Sequence, residues 1–314
     1  MMRYFIIFLG ICSYQCCFSQ SAFDIVPLGV KGGGDESNLS CYAVAVTSTD
    51  EYICLDAGTV RAGIQRAIEA GFWQGDVTEL LRNKVKGYLI SHPHLDHVAG
   101  LVINAPDDSP KSIYGTTYTL DILASNYFSW KSWANFSNRG ETPRLNKYNL
   151  VSLEPKKEIQ LEGTELLVTP YDLSHSKTSK SSAFLLRHKE TYLLYLGDTG
   201  SDTIEESQHL TTLWEAIAPL IISNKLKGIF IETSFDNSQP DTALFGHFTP
   251  KWLTHELLSL STFTGKQALK EFPIIITHRK PEKNREGIIQ QELEENNPLG
   301  VNYIFPIQGR LFRL

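Results

Sequence analysis

The sequence predicts an α/β fold in which two mixed sheets pack into a sandwich flanked by helices. Three observations lead there. Strand-like and helix-like segments interleave in both halves of the chain. Short apolar runs recur, and several end beside a His, Asp or Glu. No fixed-period repeat or low-complexity linker divides the 314 residues, whose 42% hydrophobic content is enough for a sizeable core. One domain spanning residues 20–314 is therefore expected.

From Phe23 to Ala57 the runs FDIVPLGV, CYAVAV and YICLDAG alternate with the glycine cluster Gly32-Gly33-Gly34 and a polar TSTDE turn, as opening strands of a sheet do. Val60, Ile64, Ala67 and Ile68 recur at helical spacing, and VKGYLIS then reads as a buried strand leading to His92. Residues 107–150 break the pattern with Ser, Asn and the aromatics Tyr127, Phe128, Trp130, Trp133 and Phe136, which suggests an insertion over the site. Strands return as TELLVTPYDLSH, SSAFLLRH turning at Lys189-Glu190 into TYLLYLGD, LKGIFIET and FPIIITH. Helices are expected at 250–261, with Thr249 as cap and Pro250 in the first turn, and at about 284–295.

The N-terminus has the layout of a secretory signal. Arg3 supplies a positive charge, Phe5 to Ile11 an apolar stretch, and Cys17 and Ser19 small residues before Gln20. Residues 1–19 are thus expected to be removed and the protein exported, to the periplasm or beyond the cell. The apolar run falls short of the roughly 20 residues that span a bilayer, so stable membrane insertion is not expected. Cys41 and Cys54 would remain, in neighbouring strands, either bridged or as two buried thiols. The formal charge of −6, from 29 Lys+Arg against 35 Asp+Glu, comes without any basic track, which argues against a long nucleic acid as partner.

Chemistry concentrates in His92-Pro93-His94-Leu95-Asp96-His97, which places three imidazoles and a carboxylate just past an apolar strand. Zinc accepts both ligand types, and a catalytic site keeps a position open for water. The spacing suits two metals, His92 and His94 aimed at one ion while Asp96 and His97 face another. Further ligands are expected at His175, Asp198 and His278, each following a strand. His188, His209 and His255 lack such a setting and read as ordinary surface or helix residues. The amides of Gly33 and Gly34 could approach a phosphate. Tyr127, Phe128, Trp130 or Trp133 could stack on a base, worth about 1–3 kcal/mol, although aromatics more often pack an insertion onto the body.

The H-x-H-x-D-H string followed by a distant His, Asp and His resembles the metallo-β-lactamase superfamily. The longer string from His92 to Pro106, HPHLDHVAGLVINAP, is similar to the signature of class II cyclic-nucleotide phosphodiesterases. GVKGGGDESNLSCYAV resembles that family's glycine loop, and Gly246-His247-Phe248-Thr249-Pro250 its Gly-His-Leu-Ser/Thr-Pro segment. Trp133-Ala134-Asn135-Phe136 resembles a Trp-Pro-Asn motif of its insertion, with Ala134 in place of Pro, and Ala105 replaces a Ser of the signature.

The resemblance implies a metallo-β-lactamase αββα sandwich with two zinc ions per subunit. His92, His94 and His175 would hold one ion, Asp96, His97 and His278 the other, and Asp198 would bridge. It implies hydrolysis of 3′,5′-cyclic AMP, with cyclic GMP as a further substrate, to the nucleoside 5′-monophosphate by a hydroxide that the metals activate. Asp96 would belong to the catalytic set. His247 would assist the leaving group, as a histidine does in tRNA 3′-end-processing nucleases, with Glu232 orienting it. Gly33, Gly34, Tyr127 and Trp133 are the expected substrate contacts. The partner would be a small-molecule cyclic nucleotide, and a homodimer, common for this fold, stays open. Two rival readings remain: another dizinc hydrolase of the same fold (β-lactamase, lactonase or alkylsulfatase), and a non-enzymatic metal or nucleotide binder, which would be expected to have lost a ligand.

Overall fold

A computed structural model describes residues 22–176, 178–282 and 284–314. The segment read as a signal, with Arg3, Cys17 and Ser19, lies outside the described residues.

The strands are β1 Phe23–Gly29, β2 Cys41–Val46, β3 Tyr52–Leu55, β4 Val85–Leu89, β5 Lys111–Thr116, β6 Tyr148–Leu153, β7 Ile159–Gln160, β8 Leu167–His175, β9 Ser179–His188, β10 Thr191–Leu196, β11 Leu226–Glu232, β12 Pro273–Thr277, β13 Asn302–Ile304 and β14 Phe312–Arg313. The helices are α1 Arg61–Glu69, α2 Val77–Lys84, α3 Leu95–Asn104, α4 Thr117–Ile122, α5 Asp202–Glu205, α6 His209–Ile222, α7 Pro250–Thr264, α8 Lys266–Leu269 and α9 Arg285–Glu295. Two seven-stranded sheets result, in the orders β14-β1-β2-β3-β4-β5-β6 and β13-β12-β11-β10-β9-β8-β7. Each is mixed: β3 to β6 run parallel and β1 to β3 antiparallel, while β10 to β13 run parallel and β7 to β10 antiparallel.

Successive side chains of a strand point to opposite faces, and here both faces are covered, which is why the strands read as unbroken apolar runs. Tyr42 and Val44 of β2 face the other sheet, while Cys41, Ala43 and Ala45 face the helices. Likewise Phe230 and Ile275 lie between the sheets, and Ile229, Ile231, Ile274 and Ile276 pack under helices of the second half. A one-residue slip of β2 would exchange tyrosine and valine for alanine at the sheet interface, so its register is strongly specified.

Within 107–150 the chain is less of a departure than its composition suggests. Residues 111–116 form β5 and Tyr148 opens β6, so the excursion between them starts with α4 and a π-helical turn, Leu123–Tyr127, and is irregular only from Phe128 to Lys147. Phe128, fully buried, anchors it in the core with Phe136 and Tyr148. Helix α6 was not apparent in the sequence, where Pro219 interrupts an apolar stretch that lacks a clean amphipathic period. Cys41 and Cys54 are buried free thiols. No helix among the described residues is long and apolar enough to cross a membrane.

Candidate active site

Parallel strands bring their carboxyl ends to one rim. β10, β11 and β12 deliver Asp198, Glu232 and His278, β8 ends at His175, and β3 and β4 lead into Asp56 and the His92 loop. His92 and His94 sit in the loop after β4. His94 is the N-cap of α3, so Asp96 and His97 fall in its first turn rather than in the loop. All the histidine and aspartate ligands expected from the sequence converge. Donor atoms of His92, His94 and His175 lie within 4.8 Å of one another, as do those of Asp96, His97, Asp198 and His278. Asp198 Oδ2 stands 3.1 Å from His278 Nε2, 3.3 Å from His97 Nε2 and 3.8 Å from His92 Nε2, so it joins both groups. His188, His209 and His255 take no part in these groups.

The far nitrogen of each buried ligand histidine is committed elsewhere. His97 Nδ1 donates to Asp56 Oδ2 at 2.7 Å and His175 Nδ1 to the Gly246 carbonyl at 2.9 Å. Ser91 Oγ lies 3.0 Å from His92 Nδ1, and Ser234 Oγ lies 2.8 Å from His278 Nδ1. Each serine spends its own proton on a carboxylate, Asp56 or Glu232, and so accepts from the imidazole. This network leaves Nε2 unprotonated and pointing inward, the arrangement that orients metal ligands. His92 Nε2 and His97 Nε2 are buried without a hydrogen-bond partner. Orphaned inward lone pairs beside two carboxylates are what a cation satisfies, and the site is built to hold metal ions.

Electrostatics divide the histidines: against burial, the Asp198, Asp56 and Asp96 carboxylates push His97 well above its ordinary range, negative charge that a cation at the site would share. Burial pushes His92 well below its ordinary range and His175 down to about 4, which keeps both neutral as ligation requires. Burial opposes ionisation of Asp198, but the facing His278 and His97 hold its carboxyl well below the usual carboxylate range.

Beside the clusters His247 Nδ1 lies 2.7 Å from Glu232 Oε1. The glutamate is held in turn by the Thr199 and Phe248 amides and by the Ser234 hydroxyl. Burial, with the Asp198 charge, pushes Glu232 up to about 7, and burial lowers His247 to about 4. The pair therefore carries one titratable proton between about pH 4 and about pH 7 and loses it as the pH rises through the upper value.

The glycine cluster bears on the donor residues. Gly33 spends its amide on Asp96 Oδ2 at 2.9 Å, holding a ligand rather than greeting a phosphate. A Cβ at Gly32 would fall 2.1 Å from the His278 ring, so only glycine lets that histidine reach the cluster. Gly34 packs near Pro281. The Tyr127 hydroxyl donates to the Pro93 carbonyl at 2.8 Å and so bears on the ligand loop. Trp133, part-exposed, meets Trp130 through its carbonyl, and no hydrogen bond or ring contact among the described residues ties it to the cluster.

Residues 73–309 match the sequence profile of the cAMP phosphodiesterases class-II. A 3′,5′-cyclic-nucleotide phosphodiesterase of Aliivibrio fischeri is 42% identical, the alignment covering 97% of this chain and 96% of that one. The chain belongs to the class II cAMP phosphodiesterases. The crystal structure of unliganded yeast PDE1 superposes with a TM-score of 0.83 at 24% identity, over 94% of this chain and all of that one. YhfI of Bacillus subtilis, a metallo-β-lactamase fold protein, gives a TM-score of 0.61 at 14% identity over 94% of this chain and all of that one, which makes the αββα assignment explicit.

One support of this phosphodiesterase site was missed in the sequence. Asp56 is fully buried and accepts from Ser91, His97 and Tyr195, the last at 2.6 Å. The available signal was an aspartate directly after the apolar run YICL, the pattern that pointed to Asp198. Its backbone is left-handed (φ 55°), as is that of His278 (φ 52°), and such conformations in non-glycine residues gather at functional sites. Asp56→Ala is expected to weaken metal binding about 10–100-fold, measured by competition with a chelating dye; unchanged affinity would deny the carboxylate that role.

Proposed function

We propose that the protein hydrolyses 3′,5′-cyclic AMP, with cyclic GMP as a second substrate, to the nucleoside 5′-monophosphate, using two zinc ions per subunit. The observation that carries this reading is the sharing of Asp198 between two donor groups, with a carboxylate-supported histidine alongside. His92, His94 and His175 would hold one ion, Asp96, His97 and His278 the other, with Asp198 between them. Bound there, divalent ions lower the pKa of water and neutralise phosphate charge.

The chain's own residues supply the rest. Asp96 and Asp198 balance the charge of the ions, and the nitrogens held by Asp56, Ser91, Ser234 and Gly246 fix the imidazoles before substrate arrives. Opening the cyclic ester leaves charge on the ribose 3′ oxygen, which needs a proton. His247 would give it. Its Nδ1 is committed to Glu232, so a proton passing to substrate leaves through Nε2.

The test uses residues 20–314 loaded with zinc, offered cyclic AMP, cyclic GMP, a 2′,3′-cyclic nucleotide, nitrocefin and a lactone. Formation of 5′-AMP only by the metal-loaded protein is expected. Activity confined to nitrocefin or the lactone would keep the fold and sink the substrate. Export, with cleavage before Gln20, belongs to the same proposal, supported by Arg3 and the apolar stretch Phe5 to Ile11. The mass of the mature chain from the producing cell decides it, because an intact N-terminus would contradict cleavage.

A further inference from the structure

The stretch that ends the metal-ligand set carries cations directly after His278, namely Arg279 and Lys280, with Arg285 close behind. Two of them are spent. Arg279 pairs with Glu286 at 3.3 Å and donates to the Pro306 carbonyl, and Arg285 pairs with Asp236 at 3.1 Å and with Glu282. Lys280 is different. Among the described residues no carboxylate lies within ion-pair distance of its ammonium and no acceptor takes its protons.

Its position is nevertheless fixed. The Lys280 amide donates to the Ser234 carbonyl at 3.3 Å, and the Ser234 hydroxyl is the group that holds His278. The ammonium lies 5.6 Å above the ring of Phe235, whose own centroid is 5.8 Å from that of His247. It also lies close to Gly33. A methyl group at Gly33 would sit 3.8 Å from Lys280 Nζ and 3.9 Å from Asp96 Oδ2, so the glycine keeps open a gap bounded by a free cation and a metal ligand. Cation and metal donor thus border the same gap, and His247 packs against the Phe235 ring that carries the ammonium.

We propose that Lys280 receives the non-bridging phosphoryl oxygens of the substrate and of the 5′-monophosphate product. The inference rests on the cyclic-nucleotide reading and adds a phosphate-binding residue to it. In a protein of net charge −6 an anionic substrate is not drawn in by the overall field, so an unpaired lysine at the rim supplies local attraction. The phosphate gains negative charge between cyclic diester and monoester, so the ammonium binds product, and the transition state that precedes it, more strongly than substrate. A cation–π contact with Phe235 orients the head without neutralising it.

The experiment compares metal-loaded wild type with Lys280→Met and Lys280→Arg. It measures kcat and KM for cyclic AMP, calorimetric binding of 5′-AMP and of uncharged adenosine, and metal content. Lys280→Met is expected to keep its metal and its adenosine affinity, while 5′-AMP binding and kcat/KM fall about ten- to a hundredfold. Lys280→Arg should recover much of both. Equal 5′-AMP affinity in wild type and Lys280→Met would overturn the proposal, as would loss of metal or a matching loss of adenosine binding. A wild type inert toward cyclic AMP would sink the parent reading instead, a result separable from any difference between the variants.

Discussion

Replacing Asp198 by alanine is expected to bring cyclic AMP hydrolysis down to background and to lower bound metal at both donor groups. Its Oδ2 lies within 3.8 Å of ring nitrogens of His92, His97, His247 and His278. Removing a carboxylate held ionised by those imidazoles leaves inward lone pairs with less negative charge to share a cation, and breaking such a buried charge contact costs about 3–5 kcal/mol. Metal analysis with turnover decides the matter. Full occupancy with lost activity would place Asp198 in chemistry alone, and retained activity would remove it from the centre.

His247→Ala should lower kcat for cyclic AMP by about 10²- to 10⁴-fold, the usual contribution of a positioned acid, with metal retained. The protonated dyad is the competent form, so wild-type kcat should fall as rising pH strips its proton, and that limb should vanish in the variant. A leaving-group comparison separates chemistry from mere packing. A p-nitrophenyl phosphodiester expels an oxygen that needs little protonation, so its hydrolysis should suffer far less than that of cyclic AMP. Equal losses on both would mean that His247 shapes the site rather than protonates the leaving oxygen. Glu232→Gln should produce a smaller version of the same asymmetry, because the amide can still hold the ring but cannot share the proton.

Much of this was legible in the chain because the sheets are covered on both faces. Continuous apolar runs such as FPIIIT and TYLLYL declare buried strands, and parallel pairing then carries the polar residues that follow them to one rim. His175, Asp198 and His278 could be picked out on that ground, and the His247–Glu232 pairing through resemblance. What escaped notice depends on contacts between residues far apart in sequence. Asp56 has its meaning through Tyr195, and Gly33 through Asp96, neither of which local composition reveals. Within 107–150 the polar and aromatic content conceals β5 and the start of β6, which pair with each other at the edge of the first sheet across some thirty intervening residues.

The Asp56 contacts also carry a mechanical meaning. The carboxylate follows β3 in one sheet, whereas Tyr195 belongs to β10 in the other, and His97 meets the same oxygen from above. One buried group therefore fastens the two halves of the sandwich beside the donor cluster. If His97 ligates an ion as proposed, ligation and the mating of the sheets would be coupled equilibria: the free energy released on seating the ion would also resist parting of the halves. The catalytic centre acts as the rivet of its own scaffold, and an ion-depleted chain would be weakest along the seam where its function resides.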